Sequence, residues 1–137
     1  VVNKNIIIAG ANVTLKSEAG SVISKDKIRA GKDVTFNGNS IDNQADISST
    51  NGTVEIIAKG SDIKDEEGNT TPALNNSGAI VAGNNVKLEA TAGSIANEGA
   101  INSGSDISFK TEKVLNMKCL FQNCSSLFSI DFFFYIS

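Results

Sequence analysis

The chain has no histidine and no tryptophan, one arginine (Arg29), one proline (Pro72) and two cysteines. Without histidine, nucleophile–histidine chemistry and imidazole metal sites are excluded. Cys119 and Cys124 form a Cys-x4-Cys pair. Two thiols fall short of the roughly four ligands of a zinc site, so they are read as incidental and no metal or cofactor is expected. Neither sign of charge dominates: 12 Lys and Arg stand against 15 Asp and Glu, for a net −3. That balance favours neither nucleic acid nor an acidic surface as partner. The chain opens at Val1 without a methionine or a basic-then-apolar leader, so it is expected to carry no signal peptide and to be a segment of a longer protein.

What is present is a period. Between residues 79 and 109, Ile80, Val86, Ile95, Ile101 and Ile107 follow one another at gaps of 6, 9, 6 and 6. The unit Ile-x-Ala/Ser-Gly-x-Asn/Asp-Val/Ile-x-Leu/Phe runs from Ile80 to Leu88 and again from Ile101 to Phe109, 21 residues on. Earlier in the chain Ile7, Val13, Val22, Ile28, Val34, Ile41, Ile47, Val54 and Ile63 continue the series. The step from Val34 to Ile41 is two residues short. The step from Ile63 to Ile80 is 17, or 6 plus an insert of 11. A fixed period of this size marks a repeat architecture.

Around each station apolar residues alternate with others, as in Val13-Thr14-Leu15, Val34-Thr35-Phe36 and Val86-Lys87-Leu88. Alternation puts one set of side chains inward and the other outward on a strand, and the β-branched stations suit strands. Apolar residues do not recur at helical spacing, and glycine interrupts too often for helices. The expected fold is all-β: a parallel β-helix (β-solenoid) of about 21 residues per three-strand coil, with strands of successive coils paired about 4.8 Å apart. Gly10, Gly31, Gly52, Gly83 and Gly104 are read as structural turns needing unusual φ values. A second phrase, Asn-x-Gly/Ala-x-Ile, places Asn43, Asn76 and Asn97 at a recurring corner. Their amides either stack into a hydrogen-bonded ladder or serve a left-handed turn.

The repeat segment is assigned to residues 1–113, with an insert at about 65–74. The insert holds the proline and the consecutive acids Asp65, Glu66 and Glu67. It reads as a solvated loop at one corner and as the candidate partner-binding loop. A calcium site would need these adjacent carboxylates to converge. From residue 114 to 137 the character changes. All 12 glycines lie before this stretch, whereas five of seven Phe, both Cys, the one Met and the one Tyr lie within it. A cap over the last coil and a membrane segment are alternatives. The apolar run from Leu127 to Ile136 is short and interrupted by Asp131, where a spanning helix needs about 20 apolar residues. Composition, period and turn chemistry fail together, which points to an irregular tail translated out of frame.

The phrases Ala30-Gly31-Lys32-Asp33-Val34-Thr35-Phe36, Ala82-Gly83-Asn84-Asn85-Val86-Lys87-Leu88 and Gly93-Ser94-Ile95-Ala96-Asn97-Glu98-Gly99-Ala100-Ile101, with echoes at Gly10, Gly52 and Gly104, resemble the haemagglutinin repeats of filamentous haemagglutinin and of contact-dependent inhibition exoproteins. The resemblance covers about residues 1–113. It implies a right-handed parallel β-helix within a long, secreted, cell-surface exoprotein of two-partner secretion. Such proteins leave the cell through an outer-membrane transporter and act in cell adhesion and virulence or carry a toxin. It implies as partners a host-cell or neighbouring-cell receptor, protein or glycan, and no nucleic acid. The amino-terminal secretion module and the boundary motif before a toxin are lacking in these residues.

Three functions follow for weighing. A structural shaft for adhesion or toxin presentation suits a solenoid, which lengthens by adding units. A carbohydrate-active enzyme needs carboxylates and basic groups gathered on one face. The outward positions Thr14, Thr35, Glu55, Lys87 and Ser108 form no such constellation and Arg29 is alone, so no enzyme is expected. A remnant of a disrupted adhesin gene would expose open strand edges prone to self-association.

Overall fold

A computed structural model describes residues 1–117 and 129–132, with side chains through residue 111. The first coil consists of β1 (Val2–Asn3), β2 (Ile7–Ala9) and β3 (Val13–Lys16). The second has β4 (Ser21–Ser24), β5 (Ile28–Ala30) and β6 (Val34–Gly38), and the third β7 (Ser40–Asn43), β8 (Ile47–Ser49) and β9 (Val54–Ala58). A hairpin, β10 (Ile63–Lys64) and β11 (Thr70–Thr71), precedes the fourth coil of β12 (Leu74–Asn76), β13 (Ile80–Ala82) and the start of β14 (Val86–Asn97). The end of β14, β15 (Ile101–Ser103) and β16 (Ile107–Met117) form the fifth, and β17 (Ser129–Phe132) lies on β16.

The coils stack as a three-sided β-solenoid. On the first face β1, β4, β7, β12 and the end of β14 pair in succession. The second face is β2, β5, β8, β13 and β15. The third is β3, β6, β9, the start of β14 and β16. Every one of these pairings is parallel. Equivalent residues sit 21 apart in regular coils, as in Val13↔Val34 and Ile80↔Ile101. The expected all-β parallel β-helix of three strands per coil is the fold observed.

Burial alternates along each strand, as in β5 and β9, so only the inward row is enclosed and the core follows as columns. Val22, Ile41, Leu74 and Ile95 line the first face, Ile28, Ile47, Ile80 and Ile101 the second, and Val34, Val54, Val86 and Ile107 the third, all buried. Phe36, Ile56, Leu88 and Phe109 form a further buried column two residues along the third face. Full burial of each such side chain is worth roughly 1.5–3 kcal/mol, so each added coil stabilises itself through its neighbours. The short step at Ile41 is explained by a corner of one residue, Asn39, between β6 and β7.

Three expectations are corrected. Ile63 is not a core station: it is 54% exposed and lies in the hairpin. The station is Leu74, fully buried and paired with both Ile41 and Ile95. The insert therefore ends before Leu74 rather than including it, and it is an antiparallel hairpin rather than an open loop. Past Lys113, assigned as the end of the repeat, the ladder continues: Val114, Asn116 and Met117 pair with Ile95, Ala96 and Asn97. The rest of the tail, including Cys119 and Cys124, lies outside the described residues.

Candidate functional site

The corner between first and second faces is built on asparagine. Asn43, Asn76 and Asn97 each end a first-face strand and are completely buried. The Asn43 amide donates to Asn76 Oδ1 at 2.6 Å, and the Asn76 amide to Asn97 Oδ1 at 2.7 Å. Each spends its second N–H on the carbonyl two residues ahead, at Ala45, Gly78 and Gly99. Of the two readings open in the sequence, the structure supports the ladder. Below it Ser24 takes the equivalent position, accepting from Asn3 at 3.3 Å. Serine is too short to reach the next coil, and buried Asn43 Oδ1 has no hydrogen-bond partner among the described residues.

The glycines serve a different purpose from the one expected. Of the 12, only Gly68, at the hairpin tip, has positive φ (86°). Gly31, Gly83 and Gly104 lie in the bends after the second-face strands, where a Cβ would collide with the carbonyl oxygens of Gly10, Thr50 and Gly83 in the coil beneath. Gly99 and Gly78 repeat the arrangement at the asparagine corner. Close stacking of backbones, not unusual φ, requires glycine here. Gly52 is out of this column. Thr50 occupies the position, and the bend is one residue longer, since Val54 pairs with Val34 only 20 residues back while Ser49 pairs with Ala30 19 back. Gly10 belongs to the column, but a Cβ on it would meet nothing within 4 Å.

The hairpin carries the candidate partner-binding residues and divides them. The Asp65 carboxylate is turned inward on the loop, accepting from the amides of Glu67 (3.0 Å) and Asn69 (2.8 Å) and from the Asn69 side chain (3.0 Å). The Asn69 hydrogen bonds hold Asp65 below its ordinary carboxylate pKa. Glu66 and Glu67 remain exposed at the turn. Among the described residues no group of three or more acidic, cysteine or histidine side chains is placed to hold a metal ion.

Sequence reasoning missed Asp62. It accepts from the amides of Ala73 (2.9 Å) and Ser94 (2.7 Å) and from the Ser94 hydroxyl (2.7 Å), fastening the foot of the hairpin to the fifth coil. No repeat phrase contains it, so no periodic signal marks it. A second missed set had a signal: the Asn/Asp before every third-face station except Val54, which follows Thr53. Asn12, Asp33 and Asn85 accept through Oδ1 from the amides of Asp33 (3.1 Å), Thr53 (2.9 Å) and Asp106 (3.0 Å) one coil above.

On the third face the outward row does gather charge. Lys87 lies 3.8 Å from Glu55 and 3.7 Å from Glu89, and Lys110 lies 3.9 Å from Glu89. Loose, partly exposed pairs of this kind are worth about 0–1 kcal/mol each. Thr14, Thr35 and Ser108 share the same row. Arg29 projects from the second face beside a shallow groove of about 220 Å³, with Lys27, Asp46, Ser48 and Val81 at its walls. Ser48 makes the notch, being small between Arg29 and Val81 in the register. Comparison with protein-family models, curated proteins and solved structures returned no match.

Proposed function

We propose that this chain is a length of shaft from a filamentous, surface-exposed bacterial exoprotein of haemagglutinin-repeat type, holding adhesive or toxic elements away from the cell. One observation carries the reading: three faces keep parallel register from coil to coil with an in-line core and a buried asparagine run. Such stacking resists bending and adds length without new design. The role is mechanical, and we assign it no catalysis. Its receptor contact is the hairpin, where Glu66 and Glu67 stand exposed at the tip. Export through an outer-membrane transporter belongs to the whole exoprotein in this reading.

The test is adhesion. Beads coated with the 137-residue chain are expected to bind epithelial or bacterial cells, and beads carrying a variant without residues 63–71 to bind less. Equal binding by both would remove the hairpin from recognition. No binding by either, with cleavage of pectin or hyaluronan by the soluble chain, would replace the shaft reading with an enzymatic one.

A further inference from the structure

The bend from second to third face in the third coil differs from its neighbours. Three residues make this bend in the other coils, as between β5 and β6 or β13 and β14, whereas four, Thr50 to Thr53, link β8 to β9. The longer bend carries Asn51-Gly52, one of two Asn-Gly pairs in the chain. Asn51 is exposed, and among the described residues its side-chain amide takes no part in the hydrogen bonds of the bend. Gly52 is buried, and its N–H donates to the Ser49 hydroxyl oxygen at 3.0 Å. Ser49 is buried as well, and its hydroxyl donates to the Lys32 carbonyl. A Cβ on Gly52 would collide with the backbone of Lys32 and Asp33, so the position admits glycine alone. The other pair, Asn37-Gly38, lies inside β6, which is paired on one side to β3 and on the other to β9.

We infer that Asn51 is a self-modification site, at which water converts the side-chain amide to a carboxylate, and that the Ser49 hydroxyl sets its pace. The Gly52 nitrogen gives its proton to solvent base and attacks Asn51 Cγ. A bond forms between that nitrogen and Cγ, the Cγ–Nδ2 bond breaks, and ammonia leaves with a proton taken from water. Water then opens the cyclic imide at either carbonyl, leaving isoaspartate or aspartate. The sum is a water consumed and an ammonia released, so the reaction needs no co-reactant but water. Glycine leaves the attacking nitrogen unhindered and its backbone free to turn. The extra residue of the bend supplies the slack for ring closure, which takes the Asn backbone out of the extended form. Asn37 has no such slack, being held extended between two neighbouring strands. The hydrogen bond to Ser49 keeps the proton on Gly52 and so restrains the attack. Isoaspartate would lengthen the bend by a backbone carbon between two fastenings, Asn51 N–H to the Gly31 carbonyl and the Asn84 side chain to the Asn51 carbonyl. The change is irreversible, so the modified fraction records the age of the molecule. The inference needs only the solenoid and does not rest on the adhesin reading.

The test ages the full chain in mildly alkaline buffer and reads the tryptic peptide 33–59 by fragmentation mass spectrometry. That peptide holds both Asn37 and Asn51, so each molecule carries its own control. The folded chain is expected to gain the carboxylate at Asn51 before Asn37, with ammonia released in step. Ser49→Ala should speed conversion at Asn51 about fivefold, the worth of one hydrogen bond, and leave Asn37 as it was. Should Ser49→Ala disturb the fold, Asn37 will speed up too. The unsubstituted chain then decides: conversion at Asn51 over Asn37 must be high in the folded chain and near parity in urea. Conversion at Asn37 that keeps pace with Asn51 in the folded chain overturns the site. So does a folded chain in which neither converts while the urea-unfolded chain converts at both. An unchanged or slower Asn51 rate in a folded Ser49→Ala variant overturns the role of the hydroxyl.

Discussion

Gly10 and Gly31 occupy the same column and carry opposite expectations. A methyl group on Gly31 would strike the Gly10 carbonyl, and such overpacking costs about 1–3 kcal/mol. Gly31→Ala should lower the urea midpoint accordingly, while Gly10→Ala, with open space around its Cβ, should leave it unchanged or slightly raised. Ser24 offers a gain. Ser24→Asn would bring an amide to the unpartnered Asn43 Oδ1 and extend the ladder downward. Removing one buried unsatisfied acceptor should stabilise the chain by about 1 kcal/mol, read as a higher urea midpoint at constant slope. A shifted slope or a lower midpoint would mean that Asn does not reach across the coil. The asparagine and glycine columns were legible as phrases because each recurs at fixed phase. Their purpose was legible only in part. Spacing reveals that a position repeats, but whether a glycine relieves φ or lets a neighbouring carbonyl approach depends on what lies one coil away.

At the scale of elements, Ile63 and Leu74 show where sequence periodicity fails. Ile63 is β-branched and stands nine residues after Val54, the same interval as from Val13 to Val22. Leu74 follows Pro72 and Ala73 and fits no interval counted along the chain. The hairpin intervenes between them, so the count is kept by the register and not by the sequence. Leu74→Ala should cost about 2–5 kcal/mol, and Ile63→Ala should stay within about 0.5 kcal/mol, both by equilibrium unfolding. The hairpin has its own chemistry. Asp65 has a folded pKa below its unfolded value, so its contribution is present above the unfolded value and fades as pH falls through the folded one. As pH falls below the ordinary carboxylate value and through the lowered folded one, the protection factors of the Glu67 and Asn69 amides should drop, while those of β6, β9 and β14 hold. Uniform loss of protection would show that the turn is coupled to the core.

For the whole molecule, the solenoid is a sum of neighbour contacts, with strands pairing to equivalents about one coil away. Its overall plan was therefore the most legible feature: the spacing of Ile and Val alone places three faces and the stacking direction. Deletion of residues 63–71 should preserve the far-ultraviolet circular dichroism and the unfolding midpoint, because Asp62, Ala73 and Leu74 keep the corner closed. Deletion of 65–74 removes Leu74 from the core and should collapse both. The same outcome for the two deletions would mean that the corner is not held by these residues.

Across that corner Ile47 pairs with Ile80, 33 residues on, and Ile80 then pairs with Ile101, 21 residues on, with no change in the ladder. The hairpin is thus a parenthesis: text may be added inside it without altering the sentence around it. Such a rod has two lengths, one counted in residues and one in coils, and only the second is mechanical. Solenoids of this plan can differ greatly in the first, and in what they hold out to solvent, while spanning the same distance.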